Sequence, residues 1–314
     1  MARYLGVPLD TSFLFGILPG VCREAIGRYD FMYTNYKTFN SDKTYAWSEH
    51  HYNKINNGRF SNQIAYYGTC PFLWELGRVA AKGMPDPKGS LFFLPRDDQV
   101  TIRDESYKEV ESLLNAAPKP VSVLVPWRSC DIWKQWTHIN IPHGCNLIQM
   151  SDRLTRQEVL SKLFLQHQHI YIPWPGTDVY YAEFMNKDIV VYDKLEQYRT
   201  KQKHELEREM DLVLNYLKWG YDFLTDRQKT YFEWTRDWMS IDKRDRQFLA
   251  NRMLGVNILK SPQDLYDDLI SIGWLEPHVA RRRNIEYERS YDWLRERVNN
   301  VSCTSKGLEM LSII

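Results

Sequence analysis

The stretch Tyr171–Asp193, YIPWPGTDVYYAEFMNKDIVVYD, decides how the rest of the chain is read. An apolar run is stopped by Pro175-Gly176-Thr177, a helix-length segment follows, and a second apolar run, IVVYD, closes the unit. Short apolar runs separated by helix-length segments are the mark of strands buried on both faces of a parallel sheet. A packing unit alone has no need of Pro-Gly-Thr between strand and helix. A unit that offers backbone N–H groups to a ligand does.

The same alternation extends back from this stretch to residue 90. Strands are expected at SLFFLP (90–95), VSVLVPW (121–127), CNLIQM (145–150), HIYIP (169–173) and IVVYD (189–193). Helices are expected at 104–117, 156–166 and near 178–186. This is the pattern of a doubly wound α/β sheet. GMPDPKG ends the preceding region at residue 87 with a strong turn signal. Beyond residue 194 the pattern turns helical, through 194–224, 226–239 and 242–255, with Gly255 as a C-terminal cap. SPQDLYDDLISIGWL opens a further helix, with Ser261 as N-cap and Pro262 at its first position. Residues 279–298 read as a last amphipathic helix.

Composition narrows the classes of function. The chain has 314 residues, 43% apolar and 26% charged, with a net charge of +1. That is enough for a sizeable core and two domains, and it gives no global pull toward nucleic acid or membrane. Five cysteines without CxxC spacing read as reduced thiols in a cytoplasmic protein, with no zinc framework. MARYLGVPLD lacks a signal-peptide core, and TSFLFGILPGVC is broken by Gly16, Pro19 and Gly20 well short of a membrane span. Eleven Trp and 20 Tyr supply core rings and possible stacking floors for sugars or bases.

In an open parallel sheet, ligands bind outside the carboxyl ends of the strands. Four loops fall there: Arg96-Asp97-Asp98, Arg128-Ser129, Ser151-Asp152-Arg153 and Pro175-Gly176-Thr177-Asp178. Guanidinium groups together with a helix N-terminus suit a diphosphate. Each taken singly also has a bland reading, as a solvated ion pair or an ordinary helix start.

PGTDVYYAEFMNKDIVVYD resembles the nucleotide-binding half of GT-B glycosyltransferases, especially the bacterial polysaccharide and sialyltransferase-like group. LFFLPRDD, VSVLVPW and MLGVNILKSPQDLYDDL follow in that family's order, so the resemblance covers residues 88–270. It departs from the family at Asn186, where Gly is usual, at Asp188, where Pro is frequent, and at Tyr181, where many relatives hold the ribose with Glu. Glu183 lies two positions on, so ribose recognition is not carried over. NGRFSNQIAYYG (57–68) is similar to a stretch of fucosyltransferase-like GT-B enzymes, but there it opens the chain. Nothing is carried over from it; here it reads as a loop capping a helix that runs through Tyr66 and Trp74.

The resemblance implies two Rossmann-like domains: a reduced acceptor-side domain (1–87), a nucleotide-sugar-binding domain (88–265), and C-terminal helices (266–314) packing back across the cleft. It implies a metal-independent transfer of sugar from a nucleotide-sugar co-substrate to an acceptor hydroxyl, with no other cofactor. Donor-binding candidates are Arg96, Arg128, Ser151, Gly176, Thr177, Asp178 and Tyr181; candidates for the general base are Asp10, expected at a strand end, Glu49 and His50. The missing Asp-x-Asp disfavours a metal-gripping site, and His50-His51 and His167/His169 read as structural. The expected acceptor is a saccharide. A hydroxylated DNA base is the rival, on account of Arg281-Arg282-Arg283, although three adjacent arginines on a helix would face different directions. A non-catalytic nucleotide-binding module is the rival from another class, kept open by Tyr181.

Overall fold

The computed structural model describes residues 1–13, 16–17, 43–47, 64–94, 104–125, 141–149, 153–172, 177–192, 238–298, 302–306 and 308. It is a mixed α/β chain with two parallel sheets, divided into two compact units: Met1–Gly83 with Leu214–Ile314, and Met84–Val213. Residues 243–265, drawn from sequence into the nucleotide-binding domain, therefore group with the N-terminal region.

The Met84–Val213 unit holds five parallel strands in the order β6-β5-β4-β7-β8: β4 (Ser90–Phe93), β5 (Val121–Val125), β6 (Asn146–Gln149), β7 (His169–Ile172) and β8 (Asp188–Val191). Each strand lies within two residues of its expected bounds. β4 is first in this sheet's chain order yet lies at its centre, and the winding reverses between β4 and β7. Helix α3 (Asp104–Ala116) covers one face, where Val110, Leu114 and Ala117 pack with Phe92, Val121, Val123, Tyr171 and Tyr192. Phe92 stacks on Tyr171 with centroids 4.7 Å apart. The neighbouring residue Phe93 points the other way, as strand alternation requires, and meets Phe164 of α4 (Arg153–Gln166) at 5.7 Å. Phe164 meets Tyr181 of α5 (Thr177–Phe184) edge-on at 6.0 Å. Helices on both faces make this sheet doubly wound.

His167 follows α4 and is buried, its Nδ1–H donating to the Leu163 carbonyl at 2.8 Å. Burial holds its pKa below the ordinary 6.5, outweighing that hydrogen bond, and the Lys187 charge adds to the lowering. The unfolded chain therefore takes up the proton first as pH falls, so stability is lost below about pH 6.5. The melting temperature is expected to drop from neutral pH toward pH ~5, with a smaller drop in His167→Asn. Equal slopes for the two proteins would show that His167 does not cause it.

The other unit contains β1 (Gly16–Ile17), β2 (Lys43–Ala46) and β3 (Ile64–Tyr67), parallel and in sequential order. Tyr66 is therefore in a strand, not in the expected helix. That helix, α2 (Pro71–Ala80), begins at Pro71, which accepts the first helical position because it has no N–H to leave unpaired. The start of the chain also differs from expectation. Ala2–Leu5 is a short helix, α1, closed by Gly6 at φ 73°, and Asp10 is exposed in a turn after it rather than at a strand end. Tyr4 fixes α1 by stacking on Trp74 at 4.3 Å and donating its hydroxyl to the Lys260 carbonyl at 2.6 Å.

Three later helices of this unit are among the described residues. In α6 (Lys243–Met253) the Asp242 side chain accepts from the Arg244 N–H at 2.9 Å. Gly255 follows with φ 64°, and a Cβ there would lie 2.4 Å from the Gly68 carbonyl oxygen, so both backbone angle and close approach require glycine. In α7 (Pro262–Ser271) the Ser261 hydroxyl accepts from the Asp264 N–H at 3.1 Å, the cap read from sequence. The last helix, α8, is Ile285–Val298; Arg281–Arg283 precede it rather than lying on it. The backbone carbonyl of Asn284 takes up the Tyr287 and Glu288 N–H groups, and Glu286 and Glu288 sit in the positively polarised first turn. α8 packs along α2 where Gly77 allows close approach: a Cβ at Gly77 would lie 2.4 Å from the Ser290 hydroxyl oxygen.

Candidate functional site

The strand order reverses between β4 and β7, and in doubly wound sheets ligands are taken up at the carboxyl ends of the strands beside such a reversal. The described strand ends at this edge are apolar: Leu94 and Ile172 are buried where β4 and β7 end, and the Leu94 N–H continues the ladder to the Leu124 carbonyl at 3.2 Å. Tyr192, just past β8, donates its hydroxyl to the Phe93 carbonyl at 2.6 Å, while its N–H donates to the Ile172 carbonyl at 3.1 Å. One residue thus ties the ends of three adjacent strands. Sequence offered no signal for this beyond a tyrosine one position after an apolar run. Tyr171, part of the same aromatic layer, has its pKa raised by burial.

Thr177 is the first residue of α5 and Asp178 lies in its first turn, both half-buried. The sequence-derived helix is therefore present, next after β7 in the chain. Tyr181 is buried and its ring packs on Phe164, so it belongs to the helix core and is not offered as a ribose ligand. Glu183 is buried as well, at 1% exposure. Arg96, Arg128, Ser151 and Gly176 lie outside the described residues, as do Glu49 and His50. Asp10 is described and exposed, in the other unit.

His167 and His169 have structural partners, His169 facing Asp188 at 3.6 Å. No cluster of three or more His, Cys, Asp or Glu suited to a metal ion occurs among the described residues. No described helix is long and apolar enough to cross a membrane. No protein-family model matches the chain, and neither does any curated protein or solved structure.

Proposed function

We propose that the Met84–Val213 unit binds a nucleotide through its phosphates at the carboxyl edge of the five-stranded sheet, and that the chain is a metal-independent glycosyltransferase of GT-B type. The observation that supports this is the strand order. The winding reverses between β4 and β7, and the segments that leave those two strands carry Arg96 and Gly176-Thr177. A sheet edge of this kind is where doubly wound proteins take up nucleotides.

In this reading Arg96 and Arg128 neutralise the phosphates and the α5 backbone N–H groups hold one of them. Asp178 would repel a phosphate; its carboxylate suits a hydroxyl, such as one on the donor's ribose or sugar. In the transfer, the acceptor oxygen bonds to the anomeric carbon and the carbon–oxygen bond to the diphosphate breaks. The electron pair leaves with the diphosphate, which the arginines stabilise, and a base removes the acceptor proton. Glu49 and His50 are the sequence candidates for that base, with Asp10 available as an exposed carboxylate.

Calorimetry with a panel of nucleoside mono- and diphosphates in EDTA tests the donor site. Binding of at least one member is expected, and binding of none would overturn the reading. Arg128→Ala is expected to weaken that binding by roughly 1.5–3 kcal/mol, against near zero if the residue is a surface ion-pair partner. A non-catalytic nucleotide-binding module is a second reading, favoured by one observation: the Tyr181 ring is packed into the core. Slow hydrolysis of a nucleotide sugar by the purified chain separates enzyme from module.

A further inference from the structure

An open cleft of about 420 Å³ lies between the start of α7 and the side of α8, in the unit that contains both helices. Gln263, Arg281, Arg283, Glu288, Tyr291 and Asp292 line it. Some of these groups already hold one another. Arg281 Nη1 donates to Gln263 Oε1 at 2.7 Å, and Arg283 Nε donates to both Glu288 oxygens at 3.0 and 2.8 Å. The polar lining is therefore braced before any ligand arrives, which lowers the ordering cost of binding.

The groups left over indicate the ligand's chemistry. The Asp292 carboxylate and the Tyr291 hydroxyl make no hydrogen bond among the described residues. Arg281 Nε is buried and closed to a ligand, so the open donor is the Tyr291 hydroxyl, which both donates and accepts. Acceptor and donor capacity thus stand together in one cleft. A phosphate, or the backbone of a nucleic acid, offers acceptors only and would be repelled by Asp292 and Glu288. A cationic ligand would meet Arg281 and Arg283. A neutral polyol satisfies both kinds of group, because each hydroxyl donates and accepts, and the Tyr291 ring adds an apolar face for carbon-bound hydrogens.

We infer that this cleft is a binding site for a neutral saccharide. The inference does not rest on the nucleotide site: it concerns the other unit and stands or falls on sugar binding alone. It also gives Arg281 and Arg283 a role that does not require a DNA duplex.

The test is titration of the full chain, without nucleotide, with neutral mono- and disaccharides: glucose, galactose, mannose, N-acetylglucosamine and their β-linked dimers. Saturation-transfer NMR and calorimetry read the binding. At least one sugar is expected to bind, and Asp292→Ala and Tyr291→Ala should each weaken it about tenfold or more while leaving the melting temperature close to that of the parent. The inference is overturned if no sugar in the panel binds, or if binding is indifferent to both variants. It is also overturned if inorganic phosphate or a short DNA duplex displaces the sugar from this cleft.

Discussion

Glu75→Leu is expected to destabilise the unit that contains α2 and α8 by about 3–5 kcal/mol, because it removes the carboxylate at the centre of a buried charged network and leaves the Arg78 and Tyr287 donors that face it without their acceptor. Glu75 is 7% exposed and Arg78 9%. Glu75 Oε1 accepts from Arg78 Nε at 3.0 Å and also from Arg78 Nη2; Oε2 accepts from the Tyr287 hydroxyl of α8 at 2.7 Å. Arg78 Nη1 reaches on to Glu286 at 3.1 Å, which Lys82 also engages at 2.9 Å. The Glu75 hydrogen bonds are the largest cause of the raised Arg78 pKa, and burial followed by Glu75 raises that of Tyr287. Without Glu75, Arg78 loses the carboxylate that takes two of its N–H groups while its contact to the half-exposed Glu286 remains, and Tyr287 loses its acceptor.

The measurement is the urea midpoint of the full chain. A loss under about 1 kcal/mol would put Glu75 in the class of surface pairs. The triple variant Glu75→Leu, Arg78→Met, Tyr287→Phe separates the two sides of the account. Removing every polar member at once spares the cost of a stranded charge, so much of the loss should be recovered. Tyr287→Phe alone should cost only about 1 kcal/mol.

The legibility of this fold follows burial. The strands 90–93, 121–125 and 169–172 were readable because the centre of a sheet covered by helices on both faces gives continuous apolar runs. The partly exposed edge strands 146–149 and 188–191 stood out instead through their alternation with helix-length segments. Their spatial order was not readable, since it depends on which side each crossover takes. The three-stranded sheet escaped because its strands are short and partly exposed: β3, IAYY, has Ile64 57% exposed, so neither an apolar run nor a clean alternation marks it. The strand end expected before Asp10 is replaced by α1: YLGV is apolar, yet Gly6 turns the chain back after one turn. The α7 cap was legible because Ser261 stands directly before Pro262, whereas the side-chain cap at Asp242, without a proline after it, was not.

The candidate site divides along the same line. Thr177 at the head of α5 was legible because Pro-Gly-Thr breaks the chain locally. The burial of Tyr181 was not, because α5 is buried from Val179 through Phe184 and shows no amphipathic stripe to tell ligand face from core face. Arg281–Arg283 looked helical because the residues after them are, whereas the structure puts them in the link that borders the α7–α8 cleft.

Gly176→Val carries the largest expected effect on binding: loss of measurable nucleotide affinity in a chain that still folds. Gly176 immediately precedes Thr177, the first residue of α5, on the segment that leaves β7 beside the reversal of strand order. If nucleotide phosphates are held by the N–H groups at the head of that helix, a β-branched side chain one residue earlier occupies the space the phosphate needs. The effect on stability should be smaller. The core beneath is built by Phe92, Phe93, Phe164, Tyr171 and Tyr181, none of which the substitution removes. Thr177→Ala is the graded companion: it keeps the backbone donors and removes one hydroxyl, so affinity falls by whatever ligand contact that hydroxyl makes, and because Thr177 is the first helical residue no N-cap is lost with it. Thermal melts with and without nucleotide read both quantities on one sample, since a ligand bound to the folded chain raises its melting temperature. A Gly176→Val chain that melts early yet keeps the nucleotide-dependent rise would make this segment architecture, and the nucleotide would then have to be sought away from the carboxyl ends of β4 and β7.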